Sequence, residues 1–420
     1  MSEYKSYSKF KDAEEACLGA IPEHWENRVL KYIFSENKEK NTGGIENHIL
    51  SLSYGKVISK KGNENFGLIP ESFDTYQIIN PDYLVFRFTD LQNDHKSLRV
   101  GYSDKKGIIT SAYLGLKKRK EDIHSKYFYY LFHSLDTKKY FYGFGGGVRL
   151  SINWNTLSKI KYPVPALSEQ IAITNFLDKK TGEVERLISD KEETIKLLKE
   201  KAYKLSVNGF DEPKHVNEWE DNFPNDWKTL KAKWIFNEIK IKNKPKEELL
   251  AVTQNRGVLP KSMCSESFVS PDEKGLLSQK LVIKESFVIS LRSFQGGIEF
   301  SYYQGIVSPA YTVFVIKEEF DNEKLRIFYK YFLKSKPFIE LLNTIISGIR
   351  DGQNISFTDF STLNIPIPDI KTQEAVFEID KVITAQEIKA KKEITLLKEY
   401  QESLISEAVT GKIDVRDKVQ

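Results

Sequence analysis

Cysteine is nearly absent from this 420-residue chain: Cys17 and Cys264 stand far apart and form no CxxC pair. That excludes a disulfide framework and a cysteine-built structural zinc site. Histidine is scarce as well, with six residues, none beyond His215 and no two at metal-ligand spacing. No apolar run approaches the roughly 18 residues that a bilayer span needs. The opening MSEYKSYSKFKDAEEACLGA is polar and mixed in charge, unlike a signal peptide, so a cytoplasmic protein with no membrane association is expected. A strong charge of one sign is missing too. Lys+Arg 63 against Asp+Glu 59 leave +4, too little to point to nucleic acid by itself. With 40% hydrophobic and 29% charged residues the composition is that of a globular protein, and the length suffices for two or three domains.

What the chain does have is an internal repeat. IPEHWE at 21–26 returns as FPNDWK at 223–228, and Ile33-Phe34 as Ile235-Phe236. GIITSAY at 107–113 returns as GIVSPAY at 305–311, and GVR at 147–149 as GIR at 348–350. YPVP at 162–165 pairs with IPIP at 365–368, Gln170 with Gln373, and LLKE at 197–200 with LLKE at 396–399. The matches keep one order and nearly one spacing, so the chain is two copies of one unit. Each copy is a mixed module followed by a helix. Aromatic and β-branched runs predict strands at Tyr83–Phe88 and Ser286–Leu291, and helical stretches match at Tyr127–Ser134 and Phe328–Ser335. Each module closes on Pro-x-Pro, whose fixed φ and missing N–H force an extended exit.

Beyond each Pro-x-Pro the periodicity becomes heptad-like. Counting Thr181 as position a, Val184, Ile188, Ile195, Leu198, Ala202 and Leu205 form a seam, with Lys191 the exception. In the second copy Val376, Ile383, Ala390, Leu397 and Leu404 fill the a positions, while d carries Ile379, Gln386, Glu393, Tyr400 and Glu407. This spacing fits two paired helices; it would also serve two amphipathic helices each lying on its own module. Connectivity makes paired helices antiparallel, with a module at each end and a pseudo-two-fold axis between them. About 25 helical residues would span roughly 38 Å, close to one turn of B-DNA. The expected fold class is α+β, two mixed modules in tandem joined by two long antiparallel coiled-coil helices.

LGAIPEHW at 18–25, PVPALSEQ at 163–170 and GIRDGQNIS at 348–356, together with the repeat, resemble the specificity subunits of type I restriction–modification systems. The resemblance covers nearly the whole chain. It implies target-recognition domains at 1–165 and 210–368, each reading half of a split site in double-stranded DNA. It implies spacer and docking helices at 166–209 and 369–420, which hold two methyltransferase subunits through Val184, Ile188, Ile195, Leu198, Leu205, Ile383, Ala390, Leu397 and Leu404. Restriction/translocase subunits would join outside them. No catalytic residue, metal or cofactor is expected on this chain; S-adenosylmethionine, ATP and Mg²⁺ would sit on the partners. Module one departs from the pattern, since GVRLSIN at 147–153 lacks the Gly-Gln found at 352–353.

Rival readings are an autonomous DNA adenine methyltransferase and a scaffold that binds only proteins. FYGFG at 141–145 fits a glycine pattern that holds S-adenosylmethionine, and NPDY at 80–83 echoes a motif that orients a flipped adenine. The tetrapeptide lacks its second proline, and the glycine pattern has no counterpart in the second copy. Pro81-Asp82 with Asp104-Lys105-Lys106 formally matches a metal-dependent nuclease pattern, but Asp82 fits a turn before a strand equally well. Reading DNA needs cations for phosphates and Arg, Asn, Gln or Lys at base edges. Candidate DNA contacts in module one are Tyr54, Lys56, Lys60, Lys61, Lys105, Lys106, Lys117, Lys118, Arg119, Lys120 and Arg149. Module two offers Gln254, Asn255, Arg256, Lys261, Arg292, Ser293, Gln295, Arg350, Gln353 and Asn354. Any of them could instead be a solvated loop side chain, and Arg149 and Arg350 could be structural ion-pair partners.

Overall fold

The computed structural model describes residues 4–60, 72–89, 91, 98–144, 151–207, 223–254, 256–264, 271–345 and 355–418. The chain divides into two compact units: Met1–Ser189 with Glu393–Gln420, called module one here, and Asp190–Lys392, module two. The division falls inside both long helices, so each module is closed by parts of both.

Module one begins and ends on one ribbon. Strand Glu26–Val29 pairs antiparallel with Lys161–Val164, a two-stranded edge where Pro163 loses no ladder bond. A one-turn helix, Leu30–Ile33, buries Leu30 and Ile33 and feeds a four-stranded sheet. Its order is Phe34–Glu36, Leu114–Lys118, Tyr83–Phe86, Val100–Ser103. The sheet is buried on both faces, which is why its central strand is a continuous apolar run. Leu84 and Phe86 enter the larger core beneath helix Ser125–Thr137, while Val85 joins a smaller one with Leu50, Leu52, Val57, Ile79 and Ile109. Gly107 is a glycine of necessity, since a Cβ there would lie 2.4 Å from the His48 carbonyl oxygen.

Module two repeats this plan. Lys228–Lys231 pairs with Asn364–Ile367, and Ala232–Ile235 is the one-turn helix. The sheet has six strands in the order Phe236–Ile239, Thr312–Ile316, Ser286–Ile289, Glu299–Ser301, Gly257–Pro260, Leu250–Thr253. Phe287 and Ile289 face the larger core and Val288 the smaller, the same alternation as in module one. Helices Glu323–Phe332 and Lys336–Thr344 cover it. Gly305 stands as Gly107 does, 2.3 Å from the Glu248 carbonyl oxygen once a Cβ is added.

The long helices are Leu167–Ser206 and Ile370–Val409, 40 residues each rather than the 25 expected. The excess docks onto the modules. In module one Ile173, Phe176 and Leu177 share a core with Leu404, Ile405, Ala408 and Val409; in module two Ala202 shares one with Val376 and Ile383. Within module two the helices run antiparallel and meet at Lys199–Glu387, 2.6 Å apart. The heptad seam therefore has two roles along its length. Ile383 and Leu404 are module-core residues and Leu198 and Leu205 pack against module two's core, whereas Val184, Ile188, Ile195, Ala390 and Leu397 are buried or half-buried between those ends. After Val409 the chain turns at Gly411, φ +70°, with Lys412 N–H donating to the Glu407 carbonyl at 2.8 Å, a Schellman closure. Ile413 and Val415 then complete module one's core.

The repeated motifs prove to be fasteners. Gln170 and Gln373 each donate from Nε2 to the carbonyl of the second proline of Pro-x-Pro, at 2.8 and 2.9 Å. The indole N–H of Trp25 reaches Glu169, and that of Trp227 reaches Asp369, both at 3.0 Å at the foot of a long helix. Tyr130 donates to Asp178 at 2.6 Å and Tyr331 to Asp380 at 2.7 Å.

Candidate nucleic-acid interface

Each module carries a hairpin at the side of its sheet, and the two hairpins differ at the tip. In module one Leu50–Ser53 and Lys56–Ser59 are joined by Tyr54 at φ 46° and Gly55 at φ 77°, the two left-handed residues of a type I′ turn. In module two Thr253 pairs with Gly257, so residues 254–256 make a loop one residue longer, closed by Gly257 at φ +73°. A Cβ at Gly257 would approach the Phe300 carbonyl oxygen at 2.9 Å. The longer loop carries Gln254 and Arg256.

These two residues, with Lys261 and Arg292, line one cleft of about 790 Å³ in module two. Among the described residues its lining holds three cations, Gln279, Ser290, Ser308 and Tyr311, and no carboxylate. Thr253 Oγ1 accepts from Arg256 N–H, and the guanidinium donates to the Met263 carbonyl, which aims the side chain across the cleft. Arg292 is exposed and has no ion-pair partner among the described residues. A cleft whose described charged residues are three cations favours a polyanion, and its glutamines and serines can hydrogen-bond base edges. Gln295 is exposed nearby, against Lys334 and Pro337. Ser293 is not offered to a ligand: it is buried, and its hydroxyl accepts from Ser290 N–H at 2.9 Å.

Module one is built differently. Beside its hairpin tip lies a different cleft, about 410 Å³, which mixes Lys56 and Lys126 with Asp104, Asp178 and Glu185. Lys56 pairs with Glu185 at 2.6 Å, while Tyr54 stands 83% exposed at the tip. Lys60, Lys105 and Lys106 are exposed, and Lys106 lies 3.8 Å from Glu46. The basic run 117–120 is not gathered with them. Lys117 pairs in register with Ser35 at the far edge of the sheet, Lys118 bridges Asp82 and Glu121, and Arg119 donates to the Phe34 carbonyl. Lys120 is exposed. Lys61, Arg149, Asn255, Arg350, Gln353 and Asn354 lie outside the described residues.

The catalytic look-alikes resolve into structure. Asn80–Tyr83 is a turn, with Tyr83 N–H donating to the Asn80 carbonyl and Asp82 at φ 72°. Tyr140–Phe144 is a 3-10 segment whose Phe141 is core. No group of three or more His, Cys, Asp or Glu placed to hold a metal occurs among the described residues, and no described helix is long and apolar enough to cross a membrane. Sequence reasoning missed two buried polar centres. Arg99 is wholly buried, its guanidinium donating to the Thr89 carbonyl and stacking on Tyr142, with Asp136 accepting from its backbone N–H. Burial pushes the Asp136 carboxyl up to about 6. In module two Glu299 is ion-paired to Lys334, and burial raises it to about 7 despite that partner. A lone charge inside a strand-like run was the one sequence sign of either.

The two modules repeat one sheet-and-helix scaffold, and a different polar cleft lies beside the hairpin of each. Residues 22–197 match the family model described as type I restriction modification DNA specificity domain. The putative type I restriction enzyme MjaX specificity subunit of Methanocaldococcus jannaschii is 25% identical, with 95% of this chain and 96% of that protein covered. A chain from a structure titled as the basis of complex assembly and conformational transition of the type I R-M system superposes with a TM-score of 0.57 at 14% identity, covering 94% of this chain and 99% of that one. The HsdS subunit from Thermoanaerobacter tengcongensis aligns over 94% of this chain and 98% of its own at 13% identity and a TM-score of 0.41. Residues 22–197 thus match a type I DNA specificity domain, and over nearly its whole length the chain is similar to type I restriction–modification specificity subunits. The likeness is to the DNA-specificity component of such systems.

Proposed function

We propose that the two modules read the two halves of a split DNA site, and that the long helices set the gap and hold two methyltransferase subunits. The boundaries proposed for these roles are 1–165 and 210–368 for reading, 166–209 and 369–420 for spacing and docking. Restriction/translocase subunits complete the assembly, and S-adenosylmethionine, ATP and Mg²⁺ belong to the partners. The observation that carries the reading is the convergence of Arg256, Lys261 and Arg292 on one cleft that no carboxylate lines among the described residues. A duplex laid there would meet cations at its phosphates and Gln254 and Gln279 at base edges. In module one the exposed Tyr54, Lys60, Lys105 and Lys106 are the proposed contacts, with Lys56 already engaged by Glu185. The middle of the helices, where Leu187, Leu197, Ile388 and Leu396 are exposed, suits partner helices.

Salt titration of DNA binding by the full chain with its methyltransferase subunits tests the cleft. Arg256→Ala and Arg292→Ala together are expected to weaken binding and to reduce the slope of log affinity against log salt by about one per lost phosphate contact. Unchanged affinity and slope would rule the cleft out as a DNA face.

A further inference from the structure

The hairpin that carries Gln254 and Arg256 is tied down by a single lysine. Lys334 lies just past helix Glu323–Phe332, and its side chain is only 15% exposed. Its Nζ donates to the Gln254 carbonyl oxygen at 2.8 Å and to the Glu299 carboxylate. Glu299 stands on the strand beside Gly257–Pro260, with Ser301 in register with Val258. The loop carrying Arg292 is clamped at the same point. A Cβ at Gly296 would press the Gln254 side chain at 3.0 Å, and one at Gly297, φ +79°, would fall 2.6 Å from the Leu333 carbonyl oxygen. Ile298 N–H donates to that carbonyl at 3.0 Å. One buried ion pair thus holds hairpin, loop and helix end together.

Module one lacks the pair. Ser103 and Ser301 are equivalent, each accepting at its carbonyl from a residue of positive φ, Asp82 or Glu285, and each donating its hydroxyl two residues onward. Tyr130 and Tyr331 are equivalent through their helix carboxylates. Counting from these anchors, Glu299 falls on Gly101 and Lys334 on His133. His133 Nδ1 is buried without a hydrogen bond, and the ring borders the 410 Å³ cleft beneath Tyr54. There the hairpin is held from another side, by Lys56 on Glu185.

We propose that Lys334 and Glu299 are positioning residues that fix module two's reading hairpin and thereby set the base preference of one half-site only. This rests on the reading that the cleft meets DNA. A base-edge contact must be held to about 0.5 Å to discriminate, and a three-residue loop has no rigidity of its own. A buried carboxylate, in turn, needs its cation, so neither partner is free to leave.

The test uses the full chain with its methyltransferase subunits, in competition against duplex libraries randomised in one half-site or the other. Lys334→Met and Glu299→Gln are expected to flatten base preference in module two's half-site by about tenfold per position, and to leave the other half-site unchanged. Lys334→Arg, which keeps both donors, is expected to restore it. If Arg256→Ala alters that half-site while Lys334→Met and Glu299→Gln do not, the inference is wrong and the cleft reading survives. If none of these variants alters it, the cleft reading fails and the inference with it. Loss of preference in both half-sites would also overturn it, since a positioning pair acts within one module.

Discussion

Removing residues 404–418 should unfold module one while leaving module two folded. Leu404, Ile405, Val409, Ile413 and Val415 are each at most 4% exposed in module one's core, and Ala408 is fully buried beside them. Burying a large aliphatic side chain is worth about 1.5–3 kcal/mol, so the five together contribute on the order of 10 kcal/mol, an upper figure because unfolded chains already hide some apolar surface. Polar fastenings go too: the Tyr127 hydroxyl loses the Val409 carbonyl at 3.2 Å, and the Asp414–Lys5 bridge is lost. A whole domain is stable by about 5–15 kcal/mol, so the loss matches the entire margin. Hydrogen exchange reads each module separately. Amides of Ser125–Thr137 should lose protection in the truncated chain, while those of Glu323–Phe332 keep theirs. A peptide of residues 393–418 added back should restore them. Protected module-one amides in the truncated chain would refute the reasoning, because the core would then stand without the strap.

Gly107→Ala and Gly305→Ala should each destabilise their own module by about 1–3 kcal/mol, since the new Cβ meets backbone, which cannot swing aside; thermal melts monitored by module-resolved exchange would check both. Asp136→Asn should remove a pH dependence from module one. With its folded value raised to about 6 from 3.8, the native state holds the proton longer than the unfolded chain, so this group's contribution falls as pH rises from about 4 to about 6 and is level above; urea melts across that window should show stability rising more steeply with pH in the variant than in the parent, where this loss offsets the opposite effect of His133. His133 works in the opposite sense. Burial lowers it to about 4, so stability falls as pH drops below about 6.5, and His133→Gln should remove that loss.

The scaffold was legible in the sequence because its parts occur twice. Trp25 and Trp227, Gln170 and Gln373, and Gly107 and Gly305 stood out as matched residues, and each pair makes the same contact in its module. The long helices were legible as heptads, but their length was not. Residues such as Ile173 and Phe176 lie before the seam begins and face a module, so no coiled-coil period marks them. Nor could spacing tell that Leu404 and Ile405 belong to the first module's core, since that contact joins residues about 290 to 370 positions from the strands they cover. The reading surface was the least legible. Basic loop residues look alike in sequence, yet Arg256 and Arg292 converge on one cleft while Lys117 sits at a distant sheet edge and Lys118 is spent on Asp82.

The two copies also separate scaffold from specificity by where they differ. Three side-chain contacts they share lie in a core or along a long helix: indole to carboxylate, glutamine to proline carbonyl, tyrosine to helix carboxylate. Their differences gather at the hairpin. Tyr54-Gly55 stands against a loop one residue longer, and Gly101 and His133 against Glu299 and Lys334. A protein that reads two unlike half-sites needs this partition, because a change that retunes one cleft must not disturb the frame that both modules use. Exchange of hairpin residues is cheap on such a frame, since the hairpins contribute to the smaller core of each module and not to the larger one that receives the helices.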